Sequence, residues 1–253
     1  MKITFLGTGT SQGVPLIGCE CNVCKSTDRK DKRLRSSVMI ENDGHSFVID
    51  TGPDFRQQML REDVKKLDAV IFTHEHKDHI AGLDEVRAFN YLSGMEMPVY
   101  ATARVEEALK REFAYVFSGV DYPGIPKIKI HTISKVPFEI YGTLFIPVEV
   151  FHMNLPVLGF RIGDFSYITD ANFISNEEKN KIKGSKVIVL NALRKEKHVS
   201  HYTLDEAVEL ITELAPEQGF LIHISHQLGK HADIDKELPS FIRCAFDGLR
   251  IEV

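Results

Sequence analysis

The chain has 253 residues, 43% hydrophobic and 26% charged, with a formal net charge of −5. That composition suits one large or two small globular domains with a full core. The acidic balance argues against non-specific nucleic-acid binding, which needs a basic surface. No apolar run approaches the roughly 18 residues of a membrane span, and MKITFLGTGTSQG is too short and polar for the core of an export signal. The expected compartment is therefore a reducing cytoplasm, where clustered cysteines suggest metal or catalysis before disulfides.

Strand-like runs alternate with helical patterns along the chain. KITFLG opens as a strand and breaks at glycines. SSVMIENDGHSFVIDTG reads as a hairpin turning at NDG. LDAVIFTH is a short buried strand, and HIAGLDEVRAFNYL has helical spacing at Ile80, Leu83, Val86 and Phe89. TARVEEALKREFAYVF is a second helix capped by Thr102. Residues 121–150, rich in Pro and β-branched types, predict strands and turns. YTLDEAVELITELA is a third helix whose Thr203 and Glu206 form a capping box. The layout echoes itself. SVMIENDGHSFVIDTGPDF and LGFRIGDFSYITDANF are both hairpins ending in an aspartate, Asp50 and Asp170. DAVIFTHEHKDH and QGFLIHISHQ are both apolar strands ending in histidines. No linker or charge block divides the chain, so residues 1–253 read as a single α/β domain (α+β in its segregation) built from two similar halves.

THEHKDH carries the chemistry. It places His74, His76, Asp78 and His79 directly after a buried strand. Imidazole and carboxylate together suit Zn, Mn, Fe or Ni, whereas a solvated polar loop has little use for three histidines. Side chains two apart on an extended segment point the same way, so His74 and His76 can hold one ion. Asp78 and His79 lie past the bend and can turn towards a second. His152, Asp170 and His223 each cap or interrupt a β-run. Taken singly, each is as readily a core residue. With THEHKDH they supply three ligands per ion and one bridging carboxylate.

The H-x-H-x-D-H motif, a later His, a strand-ending Asp and a C-terminal His resemble the metallo-β-lactamase fold superfamily over the full length. That resemblance implies a four-layer αββα sandwich with two divalent catalytic ions at one edge, manganese or zinc, with nickel or iron as alternatives. It implies that His74, His76 and His152 hold one ion, that Asp78, His79 and His223 hold the other, and that Asp170 bridges them. Asp50 resembles the family's aspartate that orients a ligand histidine. Asp78 combined with a bridging Asp170 matches the phosphodiesterase and nuclease branches rather than the true β-lactamases. In those branches a hydroxide between the ions attacks phosphorus in line. By the same resemblance His201 stabilises or protonates the leaving oxygen, so that His201 and Asp78 form the catalytic set. His198 and His231 are read as surface residues.

LGTGTSQGVPLIGCECNVC and HISHQL resemble the opening and the paired histidines of the phosphoribosyl 1,2-cyclic phosphate phosphodiesterases, the PhnP-like proteins. The resemblance implies a phosphoric diester hydrolase acting on a small, cyclic phosphodiester such as a ribose cyclic phosphate. Related transfer-RNA processing nucleases carry a long basic arm, and none appears between residues 90 and 150. A thioester or lactone hydrolase of the same fold, or an RNA-processing nuclease, is the alternative, with a non-enzymatic metal-binding module behind them. No membrane partner is expected, and a homodimer is left open. GTGTSQG lacks the Lys and spacing of a phosphate-binding loop and reads as a tight turn.

Three cysteines crowd GCECNVCKS, at positions 19, 21 and 24. Their C-x-C-x-x-C spacing can wrap one tetrahedral zinc if a fourth ligand arrives from elsewhere. Cys244, in FIRCAFDG, reads as core. The PhnP-like resemblance places that ligand at His226, giving a structural zinc held by Cys19, Cys21, Cys24 and His226. A disulfide pair or free thiols are the bland readings.

Overall fold

A computed structural model of the chain, describing every residue except Asp121, has two facing sheets with helices on both outer sides. The first sheet contains β1 (Lys2–Gly7), β2 (Ser37–Asn42), β3 (His45–Ile49), β4 (Ala69–Ile71), β5 (Met97–Thr102) and β6 (Ile128–Ile133). The second contains β8 (Thr143–His152), β9 (Leu155–Ile162), β10 (Phe165–Tyr167), β11 (Phe173–Ile174), β12 (Val187–Asn191), β13 (Gln218–Ile222) and β14 (Ile242–Cys244), with β7 (Phe138–Ile140) paired to β8. The chain then returns to the first sheet as β15 (Arg250–Glu252). The orders are β15-β1-β2-β3-β4-β5-β6 and β11-β8-β9-β10-β12-β13-β14.

The internal echo is visible in this topology. In each half an antiparallel hairpin, β2–β3 or β9–β10, is followed by parallel strands, β3–β4–β5 or β10–β12–β13. The NDG turn closes the first hairpin with Asp43 and Gly44 both left-handed, at φ 48° and 79°, as a two-residue hairpin requires.

Period-two alternation sorts strand side chains into separate apolar layers. Phe5, Ile40, Phe47, Ile49 and Ile71 face Phe145, Phe160, Val189 and Phe220 between the sheets. Leu6, Val48, Val70 and Val99 face outward onto the helices α1 (Phe55–Arg61), α3 (Arg87–Ser93) and α4 (Ala103–Glu112). On the far side Val150, Ile188 and Leu221 pack with α5 (Asn176–Ile182), α6 (Leu204–Leu214) and α7 (His231–Glu237). Four layers follow, αββα. Each fully buried Phe of the central layer contributes roughly 1.5–3 kcal/mol.

Two helices form as their caps dictate. The Thr102 side chain accepts from Val105 N–H, and α4 then ends at Glu112, short of Phe117. Thr203 and Glu206 complete a reciprocal capping box on α6. The helix expected over HIAGLDEVRAFNYL is instead three pieces: α2 (Lys77–Ile80), a 3₁₀ turn over Leu83–Val86, and α3. The cause lies at Gly82, which donates to Thr51 O at 2.8 Å. A Cβ there would sit 2.2 Å from Gly52 O, and a Cβ on Gly52 would sit 2.1 Å from Asp78 O. The segment breaks so that the strand end after β3 can lie against the THEHKDH loop. Of residues 121–150, position 121 lies outside the described residues; the rest forms β6, β7, most of β8 and turns.

Candidate metal centre

The C-terminal ends of β3, β4, β8, β10 and β13 meet at one edge of the sandwich, and each delivers a polar residue there. Three of these strand-end residues, Asp50, Asp170 and His223, are left-handed at φ 66°, 54° and 53°. Such a conformation is uncommon outside glycine. It turns the chain sharply where the strand stops, and non-glycine outliers of this kind cluster at functional sites.

Asp170 is the hub. Its Oδ2 lies 3.3 Å from His79 Nε2 and 3.6 Å from His74 Nε2, and its Oδ1 lies 2.9 Å from His223 Nδ1. Ligand-type atoms fall within 4.8 Å of one another in three groups that share it: Asp78, His79, Asp170 and His223; His74, His76 and Asp170; and His152, Asp170 and His201. The second expected ligand set thus gathers around Asp170 as a unit. The first is split, with His74 and His76 in one group and His152 grouped with His201. The His152 ring still stands 5.2 Å from that of His76, and 4.4 Å from that of His201. His201 therefore belongs to the cluster rather than standing apart from it.

Hydrogen bonds behind the cluster orient its histidines. Asp50, fully buried, accepts from His79 Nδ1 at 2.7 Å and from Thr73 N and Oγ1 at 2.9 and 2.8 Å. Because the Thr73 hydroxyl donates to Asp50, it accepts from His74 Nδ1 at 2.9 Å. His152 Nδ1 donates to Ser200 O at 2.8 Å. In all three histidines a hydrogen bond holds Nδ1 from behind and turns Nε2 into the cluster. Sequence reasoning assigned Asp50 but missed Thr73 and Ser200. Thr73 adjoins the motif itself; Ser200 acts through its carbonyl, which no residue type reveals. Thr10 Oγ1 and Ser36 Oγ, 3.1 and 3.3 Å from the His223 ring nitrogens, were also missed, since both come from distant loops.

Charge follows the same pattern. Burial, reinforced by His79, holds His74 well below the usual imidazole range. Burial opposes protonation of His79 as well, but Asp170, Asp78 and Asp50 overcome it and raise it well above. Burial works to raise Asp170 and Asp78, yet neighbouring histidines hold both low, His223 and His79 for Asp170 and chiefly His79 for Asp78. Burial and then His223 push His201 down to about 2.

These donors fit divalent metal. His74 Nε2 and His79 Nε2 are buried and make no hydrogen bond, and leaving such an atom unpaired costs about 1–3 kcal/mol. His79 Nε2 faces two carboxylates at 3.2 and 3.3 Å. Only a proton or another cation relieves lone pairs meeting there, and a mixed N/O donor set suits a borderline dication.

A second cluster stands nearby. Cys19 Sγ and Cys21 Sγ lie 3.3 and 3.4 Å from His226 Nδ1, and Cys24 completes a group of four. Those spacings suit adjacent vertices of a tetrahedron with bonds of about 2.0–2.3 Å. All four cysteines are free, and Cys244 is buried in the core. His231 is a correction: only 4% exposed, it bonds Arg33 Nη2 at 3.2 Å and pairs with Asp235. His198 is half-buried, its ring 5.3 Å from that of His201.

The fold and this edge define a class, and comparison with known proteins agrees. A family model described as the beta-lactamase superfamily domain matches residues 45–224, and the chain belongs to that superfamily, with the metallo-β-lactamase fold. Within it the chain is PhnP-like: it is 41% identical, with a TM-score of 0.94, to a crystal structure of a new diphosphatase from the PhnP family, covering 100% of this chain and 97% of that one. An octanoyltransferase of Porphyromonas gingivalis is 39% identical over 252 residues, 98% of this chain and 51% of the relative. A ribonuclease Z of Methanococcus maripaludis is 29% identical over 56% of this chain and 42% of its own length. The chain thus spans about half the length, or less, of these curated relatives. Zn(2+)-bound PqqB from Methylobacterium extorquens, 18% identical over the whole of both chains at a TM-score of 0.78, shares the fold. No helix of the described residues is long and apolar enough to cross a membrane.

Proposed function

We propose that the chain is a metal-dependent phosphohydrolase cleaving a P–O bond in a small phosphodiester or diphosphate, ribose cyclic phosphates among them. The observation that carries the reading is the convergence of three His/Asp groups on one buried carboxylate, Asp170. The 41% identical PhnP-family neighbour, matched over nearly all its length, is described as a diphosphatase. The net charge of −5 favours a small substrate over RNA.

His74, His76 and His152 would hold one ion, Asp78, His79 and His223 the other, with Asp170 between them. When bound, such ions activate water and neutralise charge on phosphoryl oxygens. The chain's own residues do the rest. Asp50 fixes the His79 ring directly and the His74 ring through Thr73. Asp78 and Asp170, held ionised, keep the edge negative enough to retain cations. His201, held neutral by burial, still carries one N–H, and offers it as a hydrogen bond to the leaving oxygen rather than as a full proton. The Cys₃His cluster would take a structural zinc, having no open position.

The octanoyltransferase relative favours an acyl thioester as second reading, weakened because this chain covers half of that protein. Manganese- or zinc-loaded protein assayed on bis(p-nitrophenyl) phosphate and on an acyl thioester separates the two. Turnover of the diester with no thioester cleavage is expected; the reverse overturns the reading. Ribose cyclic phosphates and nucleoside diphosphate sugars then rank the substrates.

A further inference from the structure

Asn191 ends β12, a strand otherwise made of apolar residues, and it is fully buried. A buried carboxamide in such a strand needs partners, and its partners lie beside the metal-binding hub. We infer that Asn191 is a positioning residue for the metal centre: it clamps the residue that follows Asp170 and so aims the carboxylate that the three ligand groups share. The inference rests on the two-ion reading of that edge and deepens it.

The clamp is two-pronged. Ala171 N–H donates to Asn191 Oδ1 at 2.7 Å, and Asn191 Nδ2 donates to Ala171 O at 2.9 Å. A carboxamide presents an acceptor and a donor side by side, which an ionised carboxylate cannot do. Asp170 itself is left-handed, at φ 54°, and such backbone persists only where its surroundings fix it. On one side of it Ile168 N–H donates to Val189 O at 2.9 Å; on the other stands the Asn191 clamp. Turning the Asp170 backbone would break a buried bond at Ala171. The Thr169 hydroxyl, which donates to Asp170 Oδ1 at 2.8 Å, orients the side chain but does not hold the turn.

The other half of the molecule shows why a side chain is needed. Asp50 has the same left-handed backbone, at φ 66°, and Thr51 follows it. There the THEHKDH loop and the glycine after it supply both bonds from their own backbone: Thr51 N–H donates to His79 O at 2.7 Å, and Gly82 N–H donates to Thr51 O at 2.8 Å. Beside Asp170, Asn191 supplies the same pair with its carboxamide. It also links the hub to two other cluster members. Ala171 O accepts a further bond from Tyr202 N–H at 2.9 Å, and Leu193 N–H donates to Tyr202 O at 3.1 Å, which ties the His201 segment to the same strand end. Asn191 pairs with Ile222 in the ladder to β13, and His223 comes next. One strand end thereby sets Asp170 through a side chain, and His201 and His223 through backbone.

The test compares wild type with Asn191→Ala, Asn191→Ser and a control, Ile188→Ala, which empties a site in the apolar layer of the same strand. Manganese is the probe, because thiolates leave it to the His/Asp edge. Its dissociation constants are read by competition with a chelating dye, without turnover. N191A should bind manganese about 10–100-fold more weakly than wild type, the scale of losing a group that orients a metal ligand. N191S keeps a hydroxyl that can accept from Ala171 N–H and should recover part of the loss. I188A should bind as wild type although it melts earlier. At saturating manganese N191A should lose kcat with KM nearly unchanged, and its Ala171 amide should exchange with solvent faster than in I188A. Wild-type affinity in both Asn191 variants, or an equal loss of affinity in I188A, overturns the positioning role. Wild-type protein that takes up no more manganese than Asp170→Asn overturns the two-ion reading itself, and the inference with it.

Discussion

The two ligand clusters are three residues apart in sequence at their shared anchor, His223 and His226, and they are built on opposite principles. The His/Asp cluster sits where five strands end, and His74, His79 and Asp170 are nearly sealed from solvent. Its imidazoles are aimed from behind, by Asp50, Thr73 and the Ser200 carbonyl. The Cys₃His cluster sits on an irregular loop, with Cys19, Cys21 and His226 half-buried. Among the described residues its thiols receive two backbone bonds, Cys24 N–H to Cys21 at 3.4 Å and Leu16 N–H to Cys24 at 3.3 Å. A centre that must keep ligand geometry while substrate enters needs that supporting hydrogen-bond layer. A centre whose four donors all go to one ion can let the ion organise the loop.

Breaking the hub should give the largest effect. Asp170→Asn removes the charge all three His/Asp groups share, so turnover should fall further than the 10²–10⁴-fold of a lost acid–base group, and catalytic metal content should fall with it. Elemental analysis beside kinetics checks this; full occupancy in the variant breaks the hub assignment. His201→Ala should come next, losing about 10²–10⁴-fold on a poor leaving group and less on p-nitrophenolate, with metal content kept. The structure sharpens that prediction. With its pKa down at about 2, His201 is deprotonated throughout pH 5–9 in the free protein, so the pH–rate profile of the variant should keep the shape of wild type. Loss of the alkaline limb would instead mark His201 as a true proton donor. Asp50→Asn is smaller, about 10–100-fold in metal affinity. It keeps the carboxylate's shape but not its charge, and loosens His79 and His74 together. Thr73→Val should reproduce the His74 share alone, and competition with a chelating dye measures both.

What the sequence made legible was local or came as a motif. The NDG turn and the Thr203–Glu206 box each need only neighbours along the chain, and each formed as read, while THEHKDH brings its His and Asp side chains together at one edge. The echo of Asp50 and Asp170 at two hairpin ends also survived, down to their shared left-handed backbone. What failed depended on contacts far apart in sequence. Gly82 breaks a helix because Gly52 presses on it. His231 is buried because Arg33, 198 positions away, needs a partner. Hydrophobic periodicity reports burial against a layer; it does not report which polar side chain meets another across the fold.

The smallest effect concerns the thiols, and it tests the loop side of the comparison. The Cys24 N–H, and then the His226 ring, hold Cys21 down to about 6. Burial pushes Cys24 up to about 11. Without metal at pH 7, Cys21 is therefore mostly thiolate and Cys24 almost wholly thiol, and the thiolate is the nucleophile. Chelator-treated protein given limiting iodoacetamide at pH 7 should be alkylated at Cys21 well ahead of Cys24. The preference should shrink as pH falls through 6, where Cys21 gains its proton. Protein reloaded with zinc should resist alkylation at both, since coordinated sulfur lone pairs are engaged. Peptide mass mapping reads all three arms. Equal labelling of Cys21 and Cys24 after chelation would mean the loop loses its hydrogen bonds once the ion is gone, and that the metal alone holds the turn. Full labelling of the zinc-treated protein would remove the structural-zinc assignment altogether.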